Sequence, residues 1–170
     1  MNIILGITGA SGVIYAKRFM YHAKERGFVL ELIISKTGEA VLKHENCADI
    51  LQSGAKVHQI DDFFAPPATG SSNYFGMVVL PCSMGTLGRI AAGTGDNLLI
   101  RAADVCLKEG RPLVLVSREM PLNEIHLENM LKLKRAGATI ITASPHFYKN
   151  PVTLEELADT VVDKVFNFLH

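Results

Sequence analysis

Five apolar runs alternating with segments of helical period constrain this chain more than any other feature. The pattern predicts strands near residues 2–7, 29–35, 76–81, 112–117 and 138–143, and helices near 11–26, 37–45, 86–93, 97–109, 123–136 and 153–169. Strands this apolar are buried on both faces, as in a parallel sheet covered by helices on either side. The expected fold is therefore α/β: a doubly wound parallel sheet in a three-layer sandwich, with helices on both faces. With 170 residues, 48% of them hydrophobic, the chain can bury one full core, and no shift in composition marks a linker. Residues 61–73 break the alternation, because Pro66, Pro67, Gly70, Ser71 and Ser72 there predict a long loop.

In open sheets of this kind ligands bind beyond the carboxyl ends of the strands, so the strand-end loops carry the functional reading. The first strand ends in Gly6-Ile7-Thr8-Gly9-Ala10-Ser11-Gly12. Small residues let the backbone approach a ligand closely, and a helix start offers N–H groups and partial positive charge. An anion site and a tight turn capped by Ser11 both fit. The dinucleotide fingerprint does not, because the glycines are not spaced GxGxxG and no acidic residue ends the second strand. The third strand ends in Leu80-Pro81-Cys82-Ser83-Met84-Gly85-Thr86, a second turn of small and hydroxyl residues that opens a helix. Two such turns at neighbouring strand ends suit a phosphorylated cofactor.

Ser35, ending the second strand, fits a ligand contact and a helix cap equally. His44 and Glu45 read as solvated helix residues. Pro112–Val116 runs directly into Ser117-Arg118-Glu119, which puts charge where a core strand ends and turns it towards a ligand. Arg101 and Lys108 lie two helical turns apart and can reach a common anion, although an ordinary basic surface fits Lys108 as well. The fifth strand ends in Ala143-Ser144-Pro145-His146-Phe147-Tyr148, whose aromatics can line the crevice. The apolar positions of the 126–133 segment read as core, with His126 in a structural or interface role.

Lys plus Arg equals Asp plus Glu at 17 each, so the overall charge gives no reason to expect nucleic acid or an acidic membrane as partner. Cys47, Cys82 and Cys106 form neither a CxxC pair nor a ligand run, which argues against disulfides and structural zinc. Cys82 reads as a small buried residue rather than a nucleophile. Met1-Asn2-Ile3-Ile4-Leu5 looks like a buried strand and not a signal peptide, and a cytoplasmic, non-membrane location is expected.

Taken together, Gly6-Ile7-Thr8-Gly9-Ala10-Ser11-Gly12, Ala65-Pro66-Pro67-Ala68-Thr69-Gly70-Ser71-Ser72, Leu80-Pro81-Cys82-Ser83, Arg101-Ala102-Ala103-Asp104-Val105, Arg111-Pro112-Leu113-Val114-Leu115-Val116-Ser117-Arg118-Glu119 and His126-Leu127-Glu128-Asn129-Met130 resemble the UbiX-type flavin prenyltransferases. The motifs occur in the same order and span essentially the whole chain. The resemblance implies one FMN-binding flavoprotein domain over residues 1–170, with a Rossmann- or flavodoxin-like three-layer fold. It implies transfer of a dimethylallyl group from dimethylallyl monophosphate to N5 and C6 of reduced FMN. The product, prenylated FMN, would serve UbiD-type decarboxylases. No metal is expected, in keeping with the lack of a DDxxD-like carboxylate cluster. A homo-dodecamer with sites shared between subunits is also implied.

Carried over residue by residue, Gly9, Ala10, Ser11, Ser35, Ser83, Met84, Gly85, Thr86 and Arg118 match the FMN site. Tyr148 and Lys164 match positions that bind the prenyl phosphate, with Arg101 and Lys108 adding charge. Glu45 matches a catalytic acidic position, and Glu119 with Ser11 resembles the proton-relaying pair near the departing phosphate. Phe63-Phe64 stand where the family often has Trp, and the sequence ends at His170 where relatives often continue with a tail that helps close the active site. The rival readings are an FMN-dependent cysteine decarboxylase of related fold and a flavin carrier without turnover. The first usually relies on an early His and an Asn-containing methionine motif, neither clear here; the second has no need of the whole cationic set.

Overall fold

Six parallel strands form one sheet in the computed structural model, which describes residues 1–169. They are β1 (Asn2–Ile7), β2 (Val29–Ile34), β3 (Lys56–His58), β4 (Gly76–Cys82), β5 (Leu113–Ser117) and β6 (Thr139–Thr142), ordered β3-β2-β1-β4-β5-β6. The helices are α1 (Val13–Glu25), α2 (Lys36–His44), α3 (Met84–Ala92), α4 (Leu98–Lys108), α5 (Glu124–Arg135) and α6 (Leu154–Phe166). Side chains of successive strand residues point to opposite faces, and both faces are apolar. Ile3, Leu5, Ile7, Val78, Leu80, Val114 and Val116 pack on the side of α1 and α6. Ile4, Met77, Val79, Leu113 and Leu115 pack on the side of α3 and α4. The result is the expected three-layer doubly wound sandwich, with no helix among the described residues long and apolar enough to cross a membrane.

One strand escapes the apolar pattern. Lys56–His58 is three residues long, pairs with β2 alone and carries two exposed side chains. Without β3 the strand order would be the flavodoxin-like one; with it, the order is that of the dinucleotide-binding sheet. In both, the winding reverses between β1 and β4, and that is where the crevice lies.

β4 carries a bulge at this reversal. Val79 pairs with Leu115 but Cys82 pairs with Ser117, so three steps on β4 match two on β5. Pro81 falls in the bulge, where a residue without an N–H is tolerated. Its carbonyl turns to the end of β1, accepting from the Thr8 hydroxyl at 2.8 Å.

The 126–133 segment departs from its reading as core. On α5 only Leu133 is buried, while Ile125, Leu127 and Leu131 are 50% exposed or more. The helix lies beside the outermost strand, so its apolar residues outnumber the partners one chain offers. His126 closes a capping box, its backbone N–H donating to Asn123 Oδ1 at 2.8 Å.

Candidate active site

The first residue at the crevice floor is Thr8, fully buried at the end of β1. Its hydroxyl donates to Pro81 O and accepts from the Ser83 N–H at 2.7 Å, tying the two strand-end loops together. The sequence displays Thr8 within a motif, but no local pattern marks this bridge across 75 residues.

Five of the six helices begin with a side-chain cap: Ser35, Ser83, Asn97, Asn123 and Thr153 each accept from a backbone N–H three residues on. α1 does not. Its N-cap is Gly12, at φ 99, and no side chain of its own loop caps it. Glu45, the residue ending α2, supplies the acceptor. Its carboxylate takes the Gly12 N–H at 3.0 and 3.1 Å and the Val13 N–H at 2.8 Å.

Two readings from the sequence change here. Ser11 is not the cap of α1; it is exposed and its hydroxyl faces the Glu45 carboxylate. The start of α1 is not an open anion site either, because Glu45 already fills it with negative charge. Glu45 itself is half-buried rather than solvated. Burial pushes its carboxyl up, but hydrogen bonds from Ser11, Val13 and Gly12 and the charge of Arg118 outweigh that and hold it below the usual glutamate value.

The glycines of the first turn have particular duties. A Cβ on Gly9 would lie 2.5 Å from Thr37 Cγ2, so its close approach is to the start of α2. A Cβ on Gly12 would lie 2.9 Å from the Tyr15 ring, in a left-handed conformation that already favours glycine. Ala10 is buried between these turns.

Ser35 acts as a cap, accepting from the Gly38 N–H at 3.0 Å, and it also borders a cleft of about 300 Å³ with Thr37, Asp61, Arg89 and Asn97. Ser83 caps α3, accepting from the Thr86 N–H at 3.3 Å and donating to Thr86 Oγ1 at 3.1 Å. Met84 is buried, whereas Gly85 is exposed with nothing within 4 Å of the position a Cβ would take. The first turn of α3 therefore has room for a group laid against its backbone.

Arg118 is half-buried beyond β5, reaching over Gly12 with its charge acting on Glu45 and Tyr15. Its Nε is buried without a hydrogen-bond partner among the described residues. A buried guanidinium donor left unpaired is costly, which marks this side chain as one arranged for an anion or a ring acceptor. Glu119 is exposed and, among the described residues, accepts only from the neighbouring Met120 N–H, at 3.1 Å.

Tyr148 and Lys164 come together at the far end of the same sheet edge. Both line a cleft of about 590 Å³ with Ser144, His146, Lys149 and Thr160. Arg101 and Lys108 do not converge on a common anion within one chain. Arg101 donates to Ala68 O at 3.1 Å and to Asp104 at 2.9 Å, while Lys108 pairs with Glu109 at 2.6 Å. Lys108 ends α4 just before the chain enters β5, so it sits at the amino edge of the sheet, opposite the crevice.

Cys82 is wholly buried, and desolvation pushes its thiol up to about 12, which leaves no thiolate for nucleophilic work. Among the described residues, no group of three or more His, Cys, Asp or Glu is arranged to hold a metal ion.

A model of the Flavoprotein family matches residues 1–170. The chain is 46% identical over 178 aligned residues to a flavin prenyltransferase UbiX of Halalkalibacterium halodurans, covering 97% of this chain and 86% of that one. Among solved structures it is similar to AnUbiX (PadA1) in complex with FMN and dimethylallyl pyrophosphate, with TM-score 0.93 and 40% identity over 99% of this chain and 91% of that one. It is also similar to a dodecameric FMN-dependent UbiX-like decarboxylase from Escherichia coli O157:H7, with TM-score 0.90 and 40% identity over 98% and 93% of the two chains.

Proposed function

Because the chain belongs to the flavoprotein family along its whole length, we propose that it is a flavin prenyltransferase of the UbiX type, acting as one FMN-binding domain. It transfers a dimethylallyl group from dimethylallyl monophosphate to N5 and C6 of reduced FMN. The observation that carries this reading is 46% identity to a flavin prenyltransferase over nearly the full chain, combined with a strand-end crevice beside which the Arg118 Nε donor is buried and unpartnered among the described residues. The same identity favours the transferase over a cysteine decarboxylase or a passive carrier.

The residues present fit FMN. The unpartnered Arg118 Nε, the open space beside Gly85 and the helix start at Ser83–Thr86 suit a flat, phosphorylated ligand. With Ser35 at the adjoining strand end and Gly9, Ala10 and Ser11 in the first turn, they form the cofactor site we assign. Reduced flavin supplies the nucleophilic ring atoms that receive the prenyl group.

The chain's own residues deal with charge. As the allylic carbon–oxygen bond lengthens, negative charge gathers on the phosphate, and preorganised cations and hydroxyls stabilise it without a metal. Lys164 and Tyr148 are the local donors assigned to that phosphate. Arg101 and Lys108 join them from a neighbouring copy in a homo-dodecamer like that of the E. coli relative. Exposed Ile125, Leu127, Leu131 and Val152 support an assembly that covers them.

Glu45 handles a proton beside the flavin. Its contacts with Gly12, Val13 and Ser11 keep the carboxylate ionised and fixed in place. Glu119, held only by its neighbour's N–H, is free to meet the leaving phosphate together with Ser11. The product, prenylated FMN, passes to a UbiD-type decarboxylase, and the reaction runs in the cytoplasm.

The test is phosphate release from dimethylallyl monophosphate under anaerobic conditions. Release with reduced FMN and none with oxidised FMN is expected; release that ignores the flavin's redox state counts against the reading.

A further inference from the structure

Tyr148 faces an entropic problem. It is 76% exposed in a stretch without regular structure after β6, yet the donor site assigned above needs its hydroxyl at one place. A free phenol there would lose rotamer freedom on each binding event. His146 removes that freedom beforehand. Its imidazole lies against the Tyr148 ring with centroids 4.1 Å apart and planes 16° from parallel.

His146 is itself anchored to the helix that bears Lys164. Its backbone N–H donates to Thr160 Oγ1 at 3.3 Å, and that hydroxyl donates to Leu157 O at 2.7 Å. Thr160 and Lys164 are one helical turn apart on α6 and line the same cleft. A continuous path thus runs from the α6 face through Thr160 and His146 to the Tyr148 ring. The His146 Nδ1 is buried with no hydrogen-bond partner among the described residues, so the ring makes no polar contact with them through that atom. Its close contact with Tyr148 is the stack.

We propose that His146 is a positioning residue for the prenyl-phosphate donor, a platform that fixes the Tyr148 phenol over the cleft shared with Lys164. This rests on the assignment of Tyr148 and Lys164 to the donor phosphate. His146 acts through Tyr148 and leaves the flavin site unaffected, since Ser83, Gly85 and Arg118 belong to other loops.

The experiment compares His146→Ala, His146→Phe and Lys164→Ala with the wild type. Each protein is assayed for the KM of dimethylallyl monophosphate with reduced FMN and, separately, for FMN affinity by fluorescence titration. His146→Ala is expected to raise the donor KM about threefold to tenfold, the range a lost ring stack supplies. His146→Phe keeps a flat ring and restores the wild-type KM, and FMN affinity is the same throughout. An unchanged donor KM in His146→Ala, beside a raised one in Lys164→Ala, overturns the role of His146 alone. If neither variant moves the donor KM, the donor site itself is wrong and the platform falls with it. A His146→Phe protein as impaired as His146→Ala, or FMN affinity falling in step with the donor KM, also overturns the platform.

Discussion

Glu45→Gln keeps the length of the side chain while removing its charge and one of its two acceptor oxygens. In the native protein that carboxylate takes Gly12 N–H at 3.0 Å and Val13 N–H at 2.8 Å, at the one α-helix start among the described residues without its own side-chain cap. Hydrogen bonds to a charged group contribute ~1.5–3 kcal/mol, and a carboxylate at a helix N-terminus adds ~0.3–1 kcal/mol. The amide retains part of this, so the net loss is about 1–2.5 kcal/mol. For a chain of this size that lowers Tm by roughly 3–8 °C. Thermal unfolding followed by circular dichroism measures it.

The pH dependence is a second readout of the same substitution. The folded-state pKa of Glu45 lies below its ordinary value because hydrogen bonds from Ser11, Val13 and Gly12 and the charge of Arg118 outweigh the desolvation that raises it. Its contribution is therefore complete above the unfolded glutamate pKa of roughly 4.3 and fades as the pH falls below that, through the depressed folded value. The gap between wild type and Glu45→Gln should be full at neutral pH and close in acid. The variant should still bind FMN but form the adduct slowly. An unchanged Tm at neutral pH, or a gap that widens in acid, refutes the capping argument, and full activity removes Glu45 from the mechanism.

Other perturbations test the surrounding structure. Arg118→Ala should weaken FMN binding about tenfold to a hundredfold, the value of one or two charge-assisted hydrogen bonds, in an equilibrium titration. Glu31 tethers both ends of the 59–73 loop, accepting from the Tyr74 hydroxyl at 2.6 Å and pairing with His58, so Glu31→Gln should cost about 1–3 kcal/mol in chemical denaturation. Burial raises the Glu31 carboxyl, but Tyr74, His58 and Lys56 together hold it below the ordinary value, so this cost too should disappear in acid. Leu131→Asp, on the exposed face of α5, should lower the assembly mass seen by light scattering while the far-ultraviolet spectrum stays native.

The sheet was legible because its inner strands are long, apolar and bounded by turn residues. β3 was hidden for the opposite reason: three residues, mixed in polarity, with one paired edge. Ser35 could be read as a cap or as a ligand contact from position alone, and its first bond is local; Ser83 read only as part of a turn opening a helix, and the bond its hydroxyl accepts is local too. Glu45 could not be read from the pattern around it. Its partners Gly12 and Val13 lie 33 and 32 residues away, so its meaning comes from the tertiary hydrogen bonds that bring the end of α2 to the start of α1; only the family resemblance pointed to it. Lys108 shows the reverse failure. Helical spacing puts it on a face with Arg101, but the connection into β5 carries it to the other edge of the sheet.

What sets this chain apart from a passive flavin carrier is that it builds a carbon skeleton onto flavin. The most direct measurement is the mass and absorption spectrum of the flavin recovered after anaerobic incubation of the protein with reduced FMN and dimethylallyl monophosphate. A flavin heavier by one C5H8 unit with an altered spectrum, formed only when the protein is present, is the expected result. Recovery of unmodified FMN from a folded, FMN-loaded protein would contradict it.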